Sequence, residues 1–212
     1  MTFSEQLRAA ADEVWQAQHD HPFVRGIGDG TVDLEQFKRW VRQDYLFLIQ
    51  YCRLFGLAAA RAPDLPTLVR FAELLRSTAT TEMDLHRAYA AELGIPPREL
   101  ETEAMAPVTR AYTDFLLRAA ATGDFCELAA ALLPCMWGFS EIGQRLAARG
   151  RPEEPRCAAW IDAYAGEEFA RQASWCRELV DRLAEDAGPA KRERMREAFL
   201  VSSRYELAFW DV

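Results

Sequence analysis

The chain has very little lysine: Lys38 and Lys191 are the only two among 212 residues. Its 25 basic residues are outnumbered by 33 acidic ones, for a net charge of −8. The arginines are scattered among acids, so no basic stripe exists to neutralise phosphates, which argues against a nucleic-acid partner. Long apolar runs are missing as well. The longest uncharged stretch, Leu128 to Ser140, falls short of the roughly 20 apolar residues that a membrane-spanning helix needs. At the N-terminus, Met1-Thr2-Phe3-Ser4-Glu5 carries no basic segment followed by an apolar core, so a secretory signal is not expected. The five cysteines, Cys52, Cys126, Cys135, Cys157 and Cys176, are odd in number and contain no CxxC pair. A disulfide framework or a zinc site is therefore not expected, and a reducing, cytoplasmic setting is. There is no internal repeat, no low-complexity tract, and no segment that alternates long enough for a strand.

Helical periodicity is what the chain has. Half of its residues are hydrophobic, and they recur at spacings of three and four. We expect a single all-helical domain over residues 1–212, with about seven or eight helices. Ser4 is expected to cap a first helix running to about Gln18, and His19 to Thr31 reads as a loop. Asp33, with Gln36 three residues on, reads as a capping box for a helix extending to about Ala60. Ala62-Pro63-Asp64 breaks it, and Pro66 suits the first turn of the next helix, which Gly94 stops. Pro96-Pro97 and Pro107 open further helices. Gly123-Asp124 precedes the helix of Cys135, Pro152 to Ala187 makes one or two helices, and Gly188-Pro189 precedes the last.

Three ionisable side chains fall on apolar faces of these helices. Asp44 shares its face with Trp40, Val41, Phe47, Leu48 and Tyr51. Glu206 shares its face with Phe199, Ser202, Ser203, Phe209 and Trp210, because residues three, four and seven apart point the same way. A buried carboxylate is costly unless paired, hydrogen-bonded or protonated, so two of them suggest a pocket. For Asp44 the competing reading is a structural pair with Arg39 or Arg42. For Glu206 it is a solvated tail carboxylate, since a terminal helix frays unless packing holds it. Cys135 follows Pro134, which should kink its helix. On its residues alone it reads as a packed structural thiol. Tyr112 and Tyr164 sit at core-like helical spacing. Glu82 and His86, four apart, have a spacing that ligates metals but more often marks a hydrogen-bonded core pair. A di-iron helical protein would supply Glu-x-x-His from two helices, and this chain holds three histidines. Gly28-Asp29-Gly30 lacks the strand and the longer pattern of a phosphate loop.

Five stretches, in order along nearly the whole chain, resemble the TenA family, the thiaminase II or aminopyrimidine aminohydrolase group. They are His21 to Thr31, Gln43-Asp44-Tyr45, Leu132-Leu133-Pro134-Cys135, Tyr164 to Phe169, and Ser202-Ser203-Arg204-Tyr205-Glu206. The resemblance implies a heme-oxygenase-like helical fold without haem, a homotetramer, and a hydrolase of thiamin salvage acting on a small aminopyrimidine, with no metal or organic cofactor. It places the chain in the cysteine-bearing branch. Residue by residue, it implies that Cys135 is the nucleophile, Glu206 the acid and base, and Asp44 the group on the amidine edge of the pyrimidine. Phe47, Tyr112, Tyr164 and Phe209 would be the other substrate contacts. Phe47 stands where relatives have Tyr or Phe, so it keeps stacking and lacks a hydroxyl. The chain also stops soon after Phe209-Trp210, which leaves Glu206 less supported. Two other readings remain open on the sequence: a metal-dependent oxidase on the same scaffold, and a non-catalytic pyrimidine-binding protein.

Overall fold

The computed structural model describes residues 1–212 and contains helices and no strand. In chain order they are α1 (Phe3–Ala10), α2 (Asp12–His19), α3 (Pro22–Asp29), α4 (Leu34–Arg61), α5 (Leu65–Ser77), a π turn (Thr78–Glu82), α6 (Met83–Glu92), α7 (Pro97–Thr102), α8 (Pro107–Thr122), α9 (Phe125–Ala147), α10 (Pro155–Ala165), α11 (Glu167–Glu185) and α12 (Pro189–Phe209). The all-helical expectation holds. The count of helices is higher than expected, because long periodic stretches are broken at Ala11, at the π turn and at Gly166.

Two expectations of local structure need correction. The first helix is capped by Thr2 rather than Ser4. Thr2 and Glu5 form a reciprocal capping box, with the Thr2 N–H donating to Glu5 Oε2 at 2.8 Å. Ser4 lies inside the first turn, fully buried, and donates its N–H and hydroxyl to Asp181 at 2.6 and 2.9 Å. The expected loop from His19 to Thr31 is mostly α3. His21 Nδ1 accepts from the Phe23 N–H at 3.2 Å, and Pro22 fills the first turn. Its glycines lower local helix propensity and so hid it. Gly26 is there for space: a Cβ would lie 2.9 Å from the Val32 backbone, where the chain turns back.

The chain divides into two compact units, Met1–Asp33 with Cys126–Asp211, and Leu34–Phe125 with Val212. In the second, α4 is the spine against which α5, α6, α7 and α8 pack. Asp64 caps α5 by accepting from the Thr67 N–H at 2.8 Å, with Pro66 in the first turn, as expected. Gly94 closes α6 with a positive φ of 70°. The Ile95 N–H returns to the Ala90 carbonyl and the Gly94 N–H to that of Ala91, the Schellman arrangement that satisfies otherwise orphaned helix-end carbonyls. Gln43 ties α4 to the start of α8. Its amide donates to the Ala104 carbonyl at 3.0 Å and accepts from the Ala106 N–H and the Thr109 hydroxyl, both at 2.8 Å.

In the first unit, α1 packs on α11 and α12, α2 on α12, and α3 on α10. Helix α9 is long and apolar enough to cross a membrane, but 78% of its most apolar window is buried within the protein, so its apolar surface is already taken up. On α9, Glu141 accepts from Arg8 at 3.0 Å and lies 2.8 Å from His19 Nε2. Burial alone would raise its pKa, but His19 and Arg8 outweigh that and hold it down at about 2. A depressed carboxylate stabilises the fold above its unfolded pKa and loses that contribution as pH falls through the folded one. Glu141→Gln should therefore cost about 2 kcal/mol at pH 6. The difference from wild type should shrink steadily between pH 4.5 and 2, as read by urea unfolding. A pH-independent difference would contradict the ion-pair origin.

Candidate active site

The second unit holds Asp44, Phe47 and Tyr112. All three are buried, as are Trp40, Val41, Leu48 and Tyr51 around Asp44 on α4, so the apolar face read from the sequence is real. The anticipated arginine partners do not meet Asp44. Arg42 instead lies 3.5 and 3.6 Å from Glu99 and Glu103. The partner is His86 of α6, with Nε2 2.6 Å from Asp44 Oδ2. His86 is fully buried, and its Nδ1 lies 3.0 Å from the Glu82 backbone carbonyl. Glu82 and His86 thus form a core pair through the backbone of Glu82. Burial opposes the charged ring, but Asp44 outweighs it, by charge and by contact, and raises the His86 pKa above its ordinary value. The Phe47 ring lies 5.1 Å from Tyr112 and 5.2 Å from Tyr51, so the structure brings Phe47 and Tyr112 together.

The first unit holds Cys135, Tyr164, Glu206 and Phe209, all 9% exposed or less. Cys135 follows Pro134 in the interior of α9, where proline cannot donate the usual helical hydrogen bond. Phe139, one turn on, has its ring 4.9 Å from Tyr164 and 5.2 Å from Trp210. Tyr164 is further bracketed by Trp160 at 4.6 Å and Phe169 at 5.2 Å. Gly143 of α9 sits so close to α10 that a Cβ would lie 2.6 Å from the Tyr164 carbonyl carbon. Gly143→Ala should force α10 outward, lower stability by about 1–3 kcal/mol and shift Tyr164. Thermal unfolding checks it, and an unchanged Tm would refute the close contact.

The terminal helix does not fray at Glu206, which is 3% exposed. Helix α12 runs on to Phe209. Trp210, 1% exposed, donates its indole N–H to Gln18 at 3.3 Å and stacks on Phe23 at 5.7 Å. His21 meets Asp211 at 3.1 Å. Ser203, one turn before Glu206, accepts from the Trp15 indole at 3.0 Å. The residues that follow Glu206 are thus held by Gln18 of α2, by Phe23 of α3 and by His21 between them.

His86 and Phe139 were not among the residues expected at the site. Phe139 was signalled by its spacing of four from Cys135, and His86 by its spacing of four from Glu82, which reads more readily as a core pair than as part of this site. Burial pushes the Cys52 thiol up to about 11 and that of Cys157 to about 12, so neither suits thiolate chemistry at neutral pH. All five cysteines are free thiols. No three His, Cys, Asp or Glu side chains gather as a metal site. A cleft of roughly 530 Å³ in the first unit, lined by Trp137, Ser140, Glu141, Gln144, Arg145 and Arg177 among others, contains none of the expected site residues.

The TENA/THI-4/PQQC family description matches residues 8–212. A curated relative from Halalkalibacterium halodurans, named an aminopyrimidine aminohydrolase, is 41% identical across all of this chain and 95% of its own length. A TenA homologue from P. horikoshii has a solved structure with a TM-score of 0.91 at 28% identity, covering 100% of this chain and 97% of that one. A Shewanella denitrificans domain described as having a heme-oxygenase-like fold aligns with a TM-score of 0.74 over 98% of this chain and 90% of its own. At 14% identity, it speaks for the fold alone, and the expected heme-oxygenase-like architecture is borne out.

Proposed function

Since the chain belongs to the TENA/THI-4/PQQC family, we propose that it hydrolyses 4-amino-5-aminomethyl-2-methylpyrimidine to the 5-hydroxymethyl compound with release of ammonia, a step of thiamin salvage. The observation that carries this reading is the burial of all three ionisable candidates, Asp44, Cys135 and Glu206, on apolar faces of a chain 41% identical to a named aminopyrimidine aminohydrolase.

The chemistry gives each residue a task. The 4-amino group and the neighbouring ring nitrogen form an amidine edge that a carboxylate binds through two charge-assisted hydrogen bonds. Asp44 takes this edge and favours the protonated, more electrophilic ring. Phe47 stacks on the ring, and Phe209 closes the apolar surround. The Cys135 thiolate adds to ring carbon 6, forming a C–S bond. The electron pair of the ring double bond moves to make an exocyclic methylene at carbon 5 as the C–N bond breaks. The amine leaves with a proton from Glu206. Water then adds to the methylene, losing a proton to Glu206, and the thiolate departs as the ring is restored. The covalent route divides one difficult displacement into two easier ones. A buried carboxyl can serve as acid and then as base when its pKa lies near the working pH. Tyr164 binds the other ring nitrogen, and the Tyr112 hydroxyl relays a proton. Thiamin carries the same 4-aminopyrimidine with a thiazolium in place of the amine on the methylene, so the same steps apply to it with the thiazole as leaving group.

The same reading includes a cytoplasmic homotetramer. It is supported by the five free thiols and by Leu65, Leu68 and Val69, exposed at 69%, 40% and 43% along one face of α5. Side-by-side kinetics with aminomethylpyrimidine and thiamin test the function. We expect turnover of the aminopyrimidine, and no hydroxymethyl product from either compound would overturn the assignment.

A further inference from the structure

We propose that His86 is a positioning residue for pyrimidine recognition: held as an imidazolium between the Glu82 carbonyl and Asp44, it keeps Asp44 ionised and aimed. This rests on the reading that Asp44 binds the pyrimidine edge. Nδ1 lies 3.0 Å from the Glu82 carbonyl oxygen, which can only accept, so Nδ1 carries a hydrogen. The state of the ring is then decided at Nε2, which lies 2.6 Å from Asp44 Oδ2. Two lone pairs at that separation repel and two hydrogens collide, so the pair holds one proton there. The imidazole is the more basic partner, which puts that proton on His86. Both side chains are buried, at 0% and 3% exposed. A neutral total is favoured there, because an unpaired buried charge is heavily penalised.

The surroundings agree with this state. Glu82 adds a favourable charge interaction with the ring. Trp40 of α4 and Tyr89 of α6 contribute ring centroids at 5.4 and 6.1 Å, and α7 buries only Leu100. The contact engages one carboxylate oxygen, Oδ2, at 2.6 Å, and an ionised carboxylate has further lone pairs with which to accept from a ligand. The carbonyl that fixes Nδ1 ends the π turn, and such local widenings of a helix are frequent at functional sites.

The test is the pH profile of kcat/KM for wild type and His86→Gln, with nitrogen-15 NMR of the histidines in the ligand-free protein. Glutamine keeps a donor for Asp44 and loses the charge. In wild type Asp44 raises the His86 pKa above its ordinary value, so on this proposal the charged pair is the form present at neutral pH and deprotonation of His86 produces an alkaline limb. In His86→Gln that alkaline limb should vanish. NMR should find His86 doubly protonated at pH 7 in wild type and neutral in Asp44→Asn. A variant profile parallel to wild type, or a neutral His86 in wild type at pH 7, would overturn the proposal. Absence of wild-type turnover would overturn the function instead, while the NMR result would still decide the state of His86.

Discussion

Cys135→Ser should lower kcat for aminomethylpyrimidine by on the order of 10³-fold or more, while affinity for the hydroxymethyl product stays within a few-fold of wild type. The two outcomes separate because the thiolate acts on ring carbon 6 in the chemical step, whereas recognition of the ring falls to Asp44, Phe47 and Tyr164. Loss of a nucleophile removes an interaction made only on the way to the transition state, which lowers kcat and kcat/KM together. Serine is nearly the size of cysteine, and Cys135 is 9% exposed, so the fold should tolerate the exchange. Cys52 and Cys157 cannot substitute, with thiols pushed up to about 11 and 12. Retained turnover, by quenched product analysis, would remove Cys135 from the mechanism.

Glu206→Gln should be nearly as damaging. An acid and base acting in sequence contributes about 10²–10⁴-fold, and glutamine can fill neither role. Stability should change little, because α12 is held by Trp210 on Phe23 and Gln18 and by Ser203 on Trp15, none of which needs the carboxylate. The loss should fall on kcat, and its pH dependence should flatten over the range where Glu206 titrates. A variant with more than a tenth of wild-type kcat would assign the proton transfers to another group.

Much of this was present in local sequence pattern. The faces of α4 and α12 follow from residues spaced three and four apart, and Asp44 and Glu206 are buried where that spacing put them. Local pattern failed where the deciding contact was distant. Asp44 looked for an arginine on its own helix and found His86, forty-two positions away, on α6. Glu206 looked exposed to fraying because Gln18 and Phe23, which anchor the residues after it, lie near the other end of the chain. Helix α3 was hidden by proline and glycine, residues whose low propensity is overridden by the close packing that Gly26 permits. Cys135 is a different case. Periodicity makes it a packed thiol, and its burial agrees with that as well as with catalysis. Its proposed role comes from family resemblance.

The central claim, that this chain exchanges the amino group on the pyrimidine methylene for a hydroxyl from water, is most directly tested by one stoichiometry. Purified protein is incubated with 4-amino-5-aminomethyl-2-methylpyrimidine in water enriched in oxygen-18, and ammonia and product are measured together. We expect one ammonia per hydroxymethylpyrimidine, with one oxygen-18 in each product molecule. Ammonia without that product, or no consumption of the aminopyrimidine at all, would contradict it.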